Sequence, residues 1–374
     1  MPFYYSLYRE PEDVRRRAAE RLLRLRKQFR DENVPERTVE DTLLLATWNI
    51  REFDSAKYGD RCPECLYYIA EIINHFDLVA VQEVHEDLTA LDRVQEILGG
   101  WWRYIVTDVT EGSAGNKERM AFIYDSRKVA FGNVAGEIVL PDVKGERALQ
   151  FARTPFICAF RAGWTRFSLC TVHIYYGGNT RDNPRRVREI RDLANLLANR
   201  AKRQTSRQPA RPQGQVTRGR SPEPDNLILL GDFNIFNRDD VTMQAITDAG
   251  FVVPQELQPL GGTNLDGRRH YDQIAFMTRP GRFGTTGRAG VFDFYKSVFR
   301  DDDEETYARL MGDKYAASKA KTRYYRQWRT FQMSDHLVLW VELKTDFSDT
   351  YLADMRDRTR KGTKPAVRKG KKKR

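Results

Sequence analysis

The ten residues NLILLGDFNI, 226–235, decide the architecture of this chain. Four apolar residues in a row, 227–230, are the pattern of a strand buried on both faces, and Gly231 lets the backbone turn at its end. Asp232 and Asn234 then emerge together at the strand's mouth. A carboxylate followed two residues later by a carboxamide offers hard oxygens and an N–H donor at one point, which suits a divalent cation or a phosphate oxygen. The same pair also describes an Asx turn that merely closes a strand. The chemical reading gains weight because other apolar strands in the chain end in polar groups of the same kind.

On the N-terminal side of this stretch, 165–174 reads as a strand carrying His173, and 185–200 as a helix with Val187, Ile190, Leu193, Leu196 and Leu197 at helical spacing. Between that helix and the anchor strand, 201–225 has almost no large apolar residue and much Arg, Gln, Pro, Ser and Gly, the composition of a disordered basic insertion. Further back, strands alternate with helices. A buried strand at 43–49 ends in Asn49 and another at 77–83 ends in Glu83, with helices at 66–76 and 88–98 and a third strand at 103–108. Short β-rich runs at 120–125, 128–134 and 156–161 suggest meanders in an antiparallel or mixed sheet. Beyond the anchor, a helix at 242–249, a strand at 271–277 carrying Asp272, a helical stretch at 301–321 and a strand at 336–343 complete the pattern. The expected organisation is an N-terminal helical extension (1–38), a catalytic domain (39–345) interrupted by the insertion 201–225, and a C-terminal helix with a basic tail (346–374).

At 374 residues with 40% apolar content, including 6 Trp, 20 Phe and 17 Tyr, the chain can bury a large core. No run approaches the ~18 apolar residues of a membrane span, and the first residues lack the apolar region of a secretory signal, so an intracellular protein without a transmembrane segment is expected. Four cysteines make no disulfide framework, and Cys62-Pro-Glu-Cys65 lacks the second Cys or His pair of a zinc site, so it reads as a helix-start turn. The net charge of +11 is concentrated. Residues 356–374 carry +10 and residues 200–221 carry +7, which leaves the rest of the chain at −6. An acidic body with two basic appendages suits a carboxylate-built site and a polyanionic partner.

Gathered at one rim, Asn49, Glu83, His173, Asp232, Asn234, Asp272, Asp335 and His336 would form a single cleft. Carboxylates without clustered Cys or His favour Mg2+, Mn2+ or Ca2+ over zinc. Two histidines beside carboxylates suit proton transfer near neutral pH. No activated serine or cysteine nucleophile stands out.

The series TWN at 47–49, VQEV at 81–84, GDFN at 231–234, YDQI at 271–274 and SDH at 334–336, in this order, resembles the endonuclease/exonuclease/phosphatase superfamily. KERMAFIY at 117–124, RTPF at 153–156 and VHIYYGG at 172–178 make it most similar to the deoxyribonuclease I branch. The resemblance implies a four-layered α/β sandwich, two mixed sheets face to face with helices outside, and divalent-metal hydrolysis of a phosphodiester by in-line attack of water. By this resemblance Glu83 is the principal metal ligand, assisted by Asn49. His173 pairs with Glu118, and His336 with Asp272, as acid and base. Asp232, Asn234 and Asp335 hold a second metal or position phosphate and water. Arg119 and Arg153 contact phosphate or brace the site.

Two departures touch substrate contact. The branch often has an arginine where this chain has His85, and a tyrosine where it has Asn116. Replacement contacts would come from the run 323–329, where aromatics interleave with Arg323, Arg326 and Arg329, or from the basic appendages. The same run also fits a half-buried helix or strand with a solvated face. The leading expectation is a Mg-dependent DNA endonuclease. The alternatives are a phosphoesterase acting on phospholipid or inositol phosphate head groups, and a catalytically silent nucleic-acid-binding module.

Overall fold

A computed structural model describes residues 1–53, 55, 59–110, 115–142, 148–206, 226–278 and 283–361. The expected insertion from 207 onward and the basic tail from 362 lie outside these residues. Along β1 (Thr42–Phe53), period-two alternation sorts side chains between two cores. Leu43 and Leu45 join one, and Leu44, Ala46, Trp48 and Ile50 the other. The strand is therefore buried on both faces, as its unbroken apolar run predicts.

Six strands form one sheet in the order β10-β11-β1-β2-β4-β3, where β2 is Leu78–Val84, β3 Trp102–Val106, β4 Arg119–Asp125, β10 Thr285–Phe292 and β11 Val338–Lys344. Five form the other, in the order β5-β6-β7-β8-β9, with β5 Val129–Glu137, β6 Phe156–Ala162, β7 Thr165–His173, β8 Asn226–Asp232 and β9 Asp272–Met277. Leu43, Leu78, Phe122 and Val341 of the first sheet share a core with Cys158, Phe160, Leu169 and Leu229 of the second, which places the sheets face to face. The outer face of the six-stranded sheet is covered by α1 (Glu12–Asp31), α2 (Pro63–His75), α3 (Thr89–Leu98), α6 (Glu304–Ala316) and α7 (Lys321–Gln332). Helices α4 (Pro184–Ser206) and α5 (Val241–Thr247) cover the other sheet. This is the four-layered α/β sandwich.

The middle strands do not form one meander. The chain crosses between sheets after β4, so of the four strands β4 to β7 only β5, β6 and β7 pair with one another. The stretch 301–321 is not one helix: α6 stops at Ala316, Gly312 within it has non-helical angles, and a separate α7 carries the run 323–329. Residues 201–206, grouped with the insertion from their polarity, continue α4. Strand β10 carries Gly287 and Gly290, which weaken its strand pattern in the sequence; its partner β11 supplies the order. As expected, Cys62 caps α2 with Pro63 in the first turn, and both thiols are buried.

The N-terminal helix is integral to the packing. Ala18, Leu22, Leu25 and Phe29 of α1 are buried in the outer core, and Arg21 pairs with Asp303 at 2.6 Å in a largely buried contact. The basic end of the described chain, α8 (Ser348–Lys361), follows β11, and its Tyr351 packs against Trp164 of the body in an exposed aromatic contact. No helix among the described residues is long and apolar enough to cross a membrane.

Candidate active site

Strand direction gathers the polar groups. Strands β1 and β2 are parallel, as are β7 and β8, and all four end at one rim. Strands β4, β9 and β11 run antiparallel to their neighbours and start there. Asn49, Glu83, His173 and Asp232 thus come from strand ends, and Glu118, Asp272 and His336 from strand beginnings. In the five-stranded sheet His173 and Asp272 each lie directly across from Asp232, so the three project from one face.

Two of these positions depend on unusual backbone. Glu83 has φ +61°, and the pairing of β2 with β4 shifts register between Val81 and Val84. Such a bulge re-aims a side chain that plain alternation would send to the helical side. Its carboxylate accepts a hydrogen bond from the Glu52 amide at 2.8 Å. Gly231 has φ +129°, and a Cβ there would drive into the Val172 backbone of the neighbouring strand. Only glycine permits Asp232 to follow so close a pairing.

The geometry is that of two imidazoles held by carboxylates. His173 Nδ1 lies 2.8 Å from Glu118 Oε2, and Arg153 grips the same carboxylate through Nε at 2.5 Å and Nη2 at 2.9 Å. His336 Nδ1 lies 2.8 Å from Asp272 Oδ2, which also accepts from the Thr263 hydroxyl at 2.6 Å. Both Nε2 atoms face Asp232 Oδ2, at 3.4 Å from His173 and 3.8 Å from His336. Asn49 Nδ2 donates to Glu83 Oε1 at 2.9 Å and to Asp232 Oδ2 at 3.0 Å. The Ser334 hydroxyl donates to the Asn49 carbonyl at 2.6 Å and accepts the His336 amide at 2.9 Å, tying the start of β11 to β1.

Electrostatics follow from burial and pairing. Burial opposes charge on His336, yet the facing Asp272 and Asp232 carboxylates outweigh it and hold the imidazolium well above the ordinary histidine range. Burial and the Arg153 charge oppose His173, but Glu118 and Asp232 raise it as well. Burial pushes Glu118 up, and His173 and Arg153 override it to hold that carboxyl well below the usual range. Glu83 and Asp272 are raised, first of all by burial.

The other expected residues divide. Asn234 serves the backbone: its Nδ2 donates to the Ile174 carbonyl at 2.8 Å and its amide to Asp232 Oδ1 at 2.9 Å, with φ +54°. The Asx turn and the cleft-facing carboxylate therefore coexist, one on each oxygen of Asp232. Asp335 is partly exposed and faces Arg51 at 3.6 Å. Arg153 braces Glu118, and Arg119 turns away to donate to the Thr107 carbonyl at 3.0 Å. In α7, Arg329 is buried against Tyr295 and the Phe299 carbonyl, Arg326 is exposed and paired with Asp301 at 2.9 Å, and Arg323 is exposed. The run is thus a half-buried helix with a solvated face. His85 stands 3.0 Å from Glu52. Thr263, Ser334 and Glu52 were not picked out as individual contributors, and only Ser334 carried a signal, inside the SDH motif.

Among the described residues, Asp232, Asp272 and His336 offer ligand atoms all within 4.8 Å of one another, a carboxylate/His set able to hold a metal ion. Asn49 Oδ1 lies buried beside it with no hydrogen-bond partner, as does Asp272 Oδ1. Buried oxygens left without donors fit a bound cation.

A model of the Endonuclease/Exonuclease/phosphatase family matches residues 46–290. The chain belongs to this family. It has the family's phosphoesterase fold, and the matched segment carries Asn49, Glu83, Glu118, His173, Asp232 and Asp272, with His336 beyond it. Among solved structures the chain is similar to an endonuclease/exonuclease/phosphatase family protein of Bacteroides thetaiotaomicron, at 16% identity over 83% of this chain and 98% of that one, with TM-score 0.48. It is similar to Danio rerio TDP2 humanised by 14 mutations, at 12% identity over 81% and 98%, TM-score 0.47. A mannosyl-6-phosphatase of the same Bacteroides species is 18% identical over 80% and 99%, TM-score 0.46. The comparison with curated proteins found no match.

Proposed function

We propose that this family member is a divalent-metal-dependent phosphodiesterase whose substrate is nucleic acid, DNA foremost, cut endonucleolytically. The observation that carries the reading is the pair of carboxylate-held imidazoles whose Nε2 atoms both face Asp232 Oδ2. With each Nδ1 placed 2.8 Å from a carboxylate oxygen, each Nε2 is the atom left to exchange a proton. One imidazole takes the proton of the attacking water and the other donates a proton to the leaving oxygen. Asp232, between them, orients the water, and the Asn49 amide keeps Asp232 and Glu83 in register. Glu83 and Asn49, with Asp232, would hold the cation, which supplies charge neutralisation on the non-bridging phosphate oxygens. Magnesium is the first choice for an all-oxygen set, with manganese or calcium as substitutes. The preference for DNA rests on the resemblance of the 117–124 and 172–178 segments.

The test is incubation of supercoiled plasmid with Mg2+ and the wild-type, Glu83→Ala and His336→Ala proteins. Nicking and linearisation by wild type alone is the expected result. Plasmid left intact with Mg2+, Mn2+ and Ca2+ would overturn the deoxyribonuclease reading and make inositol phosphate and phospholipid head groups the next substrates to assay.

A further inference from the structure

We propose that the rim opposite the cleft is a docking surface for an anionic phospholipid bilayer, built from the tip of the β6–β7 hairpin and helix α8. Strand β11 leaves the catalytic rim at His336 and ends with Lys344 paired to Thr42, the first residue of β1. Helix α8 therefore begins at the far rim. The hairpin tip is there too, since Trp164 donates its amide to the Thr345 carbonyl at 3.0 Å.

Three features of this rim face solvent. Trp164 and Tyr351 pack against each other with ring centroids 5.6 Å apart while remaining 59% and 52% exposed. Leu352 and Met355, on the same side of α8 as Tyr351, are 59% and 49% exposed. Arg161 and Arg166 are both exposed and lie directly across from each other in the hairpin, a like-charge pair that opposes strand pairing until an anion neutralises it. The chain then continues into residues 356–374, with a net charge of +10.

Charge alone would fit any polyanion. The aliphatic and aromatic side chains choose between them. A nucleic-acid backbone gives Leu352 and Met355 nothing to bury in, whereas a bilayer interface accepts Trp and Tyr at head-group depth and aliphatic chains below it, with cations drawn to acidic lipids. Docked this way, the protein presents its cleft away from the bilayer, so the membrane is a place of attachment and not the substrate. This proposal is independent of which phosphodiester the cleft hydrolyses.

The experiment is co-sedimentation of the full chain with phosphatidylcholine vesicles, with and without phosphatidylserine, at about 0.15 M salt. Wild type is expected to bind only the acidic vesicles. Leu352→Ser/Met355→Ser should weaken binding at least about tenfold, and Arg161→Gln/Arg166→Gln should weaken it and reduce its salt dependence. Turnover of soluble substrate should be unchanged in both variants, which also reports that they fold. Failure of wild type to bind acidic vesicles would overturn the proposal. So would binding indifferent to the aliphatic pair, which would mean tail electrostatics alone. Equal dependence on that pair for binding to duplex DNA would assign the surface to nucleic acid. A wild-type dimer that the aliphatic substitutions convert to monomer would assign it to a second copy of the chain.

Discussion

Asn49 bridges two carboxylates with one amide nitrogen and is left with a buried side-chain oxygen, Oδ1, without a hydrogen-bond partner. Asn49→Ala removes the bridge, so titration calorimetry with Mg2+ should show affinity reduced by about 10- to 100-fold, as for other groups that orient metal ligands. His173→Asn and His336→Asn should each lower kcat/KM by about 10²–10⁴. Each also strands a buried carboxylate, at a cost of roughly 1–3 kcal/mol. Urea unfolding separates that loss from the catalytic one. Gly231→Ala combines a φ that L-residues avoid with a collision against β7. It should cost at least about 1–3 kcal/mol by the same measurement and misplace Asp232, the next residue.

Helices α1 and α2 meet at Phe29 and His75, whose rings stack at 3.7 Å, with Phe292 on the other side of Phe29 at 3.9 Å. Phe29→Ala should destabilise the whole protein by about 3–5 kcal/mol, because the ring sits in the outer core. Loss of α1 alone without global unfolding would show that the N-terminal helix is a detachable extension. His75 Nε2 donates to the Pro35 carbonyl at 3.1 Å, and burial lowers its pKa to about 4. The unfolded chain, with an ordinary histidine value near 6.5, therefore binds the extra proton between pH 6.5 and 4. Stability is full above that window and falls as pH drops through it, by roughly 2–3 kcal/mol. In His75→Gln the difference in urea midpoint between pH 7 and pH 4.5 should shrink.

Across the molecule, charge is separated from chemistry. The cleft rim is built from carboxylates and histidines, while α8 and the strand start Asn226, which follows the basic insertion, lie at the opposite rim. Ending the chain at residue 361 should leave turnover of a small soluble diester unchanged, because no described catalytic contact comes from that rim. A fall in turnover of such a substrate would show that the tail reaches the cleft.

Much of the site was legible in the sequence because strands announce themselves. The apolar runs 43–46, 78–81 and 227–230 specify double burial, and each gives way within three residues to a polar group at the strand's end. Asn49, Glu83, Asp232 and Asp272 are read that way, and the ordered motifs add Glu118. Periodicity says nothing about which strand lies beside which. Tertiary structure decided that His173 and Asp272 flank Asp232, that a bulge turns Glu83 into the cleft, and that Arg153 braces Glu118. It also placed α8 and the hairpin tip together at the far rim, though Trp164 and Tyr351 are 187 residues apart. The reason is physical. Burial pattern is a property of neighbours along the chain and is written locally. Register, bulges and the pairing of charges are settled by whichever long-range packing leaves no buried group unanswered, and that is known only when the whole chain has folded.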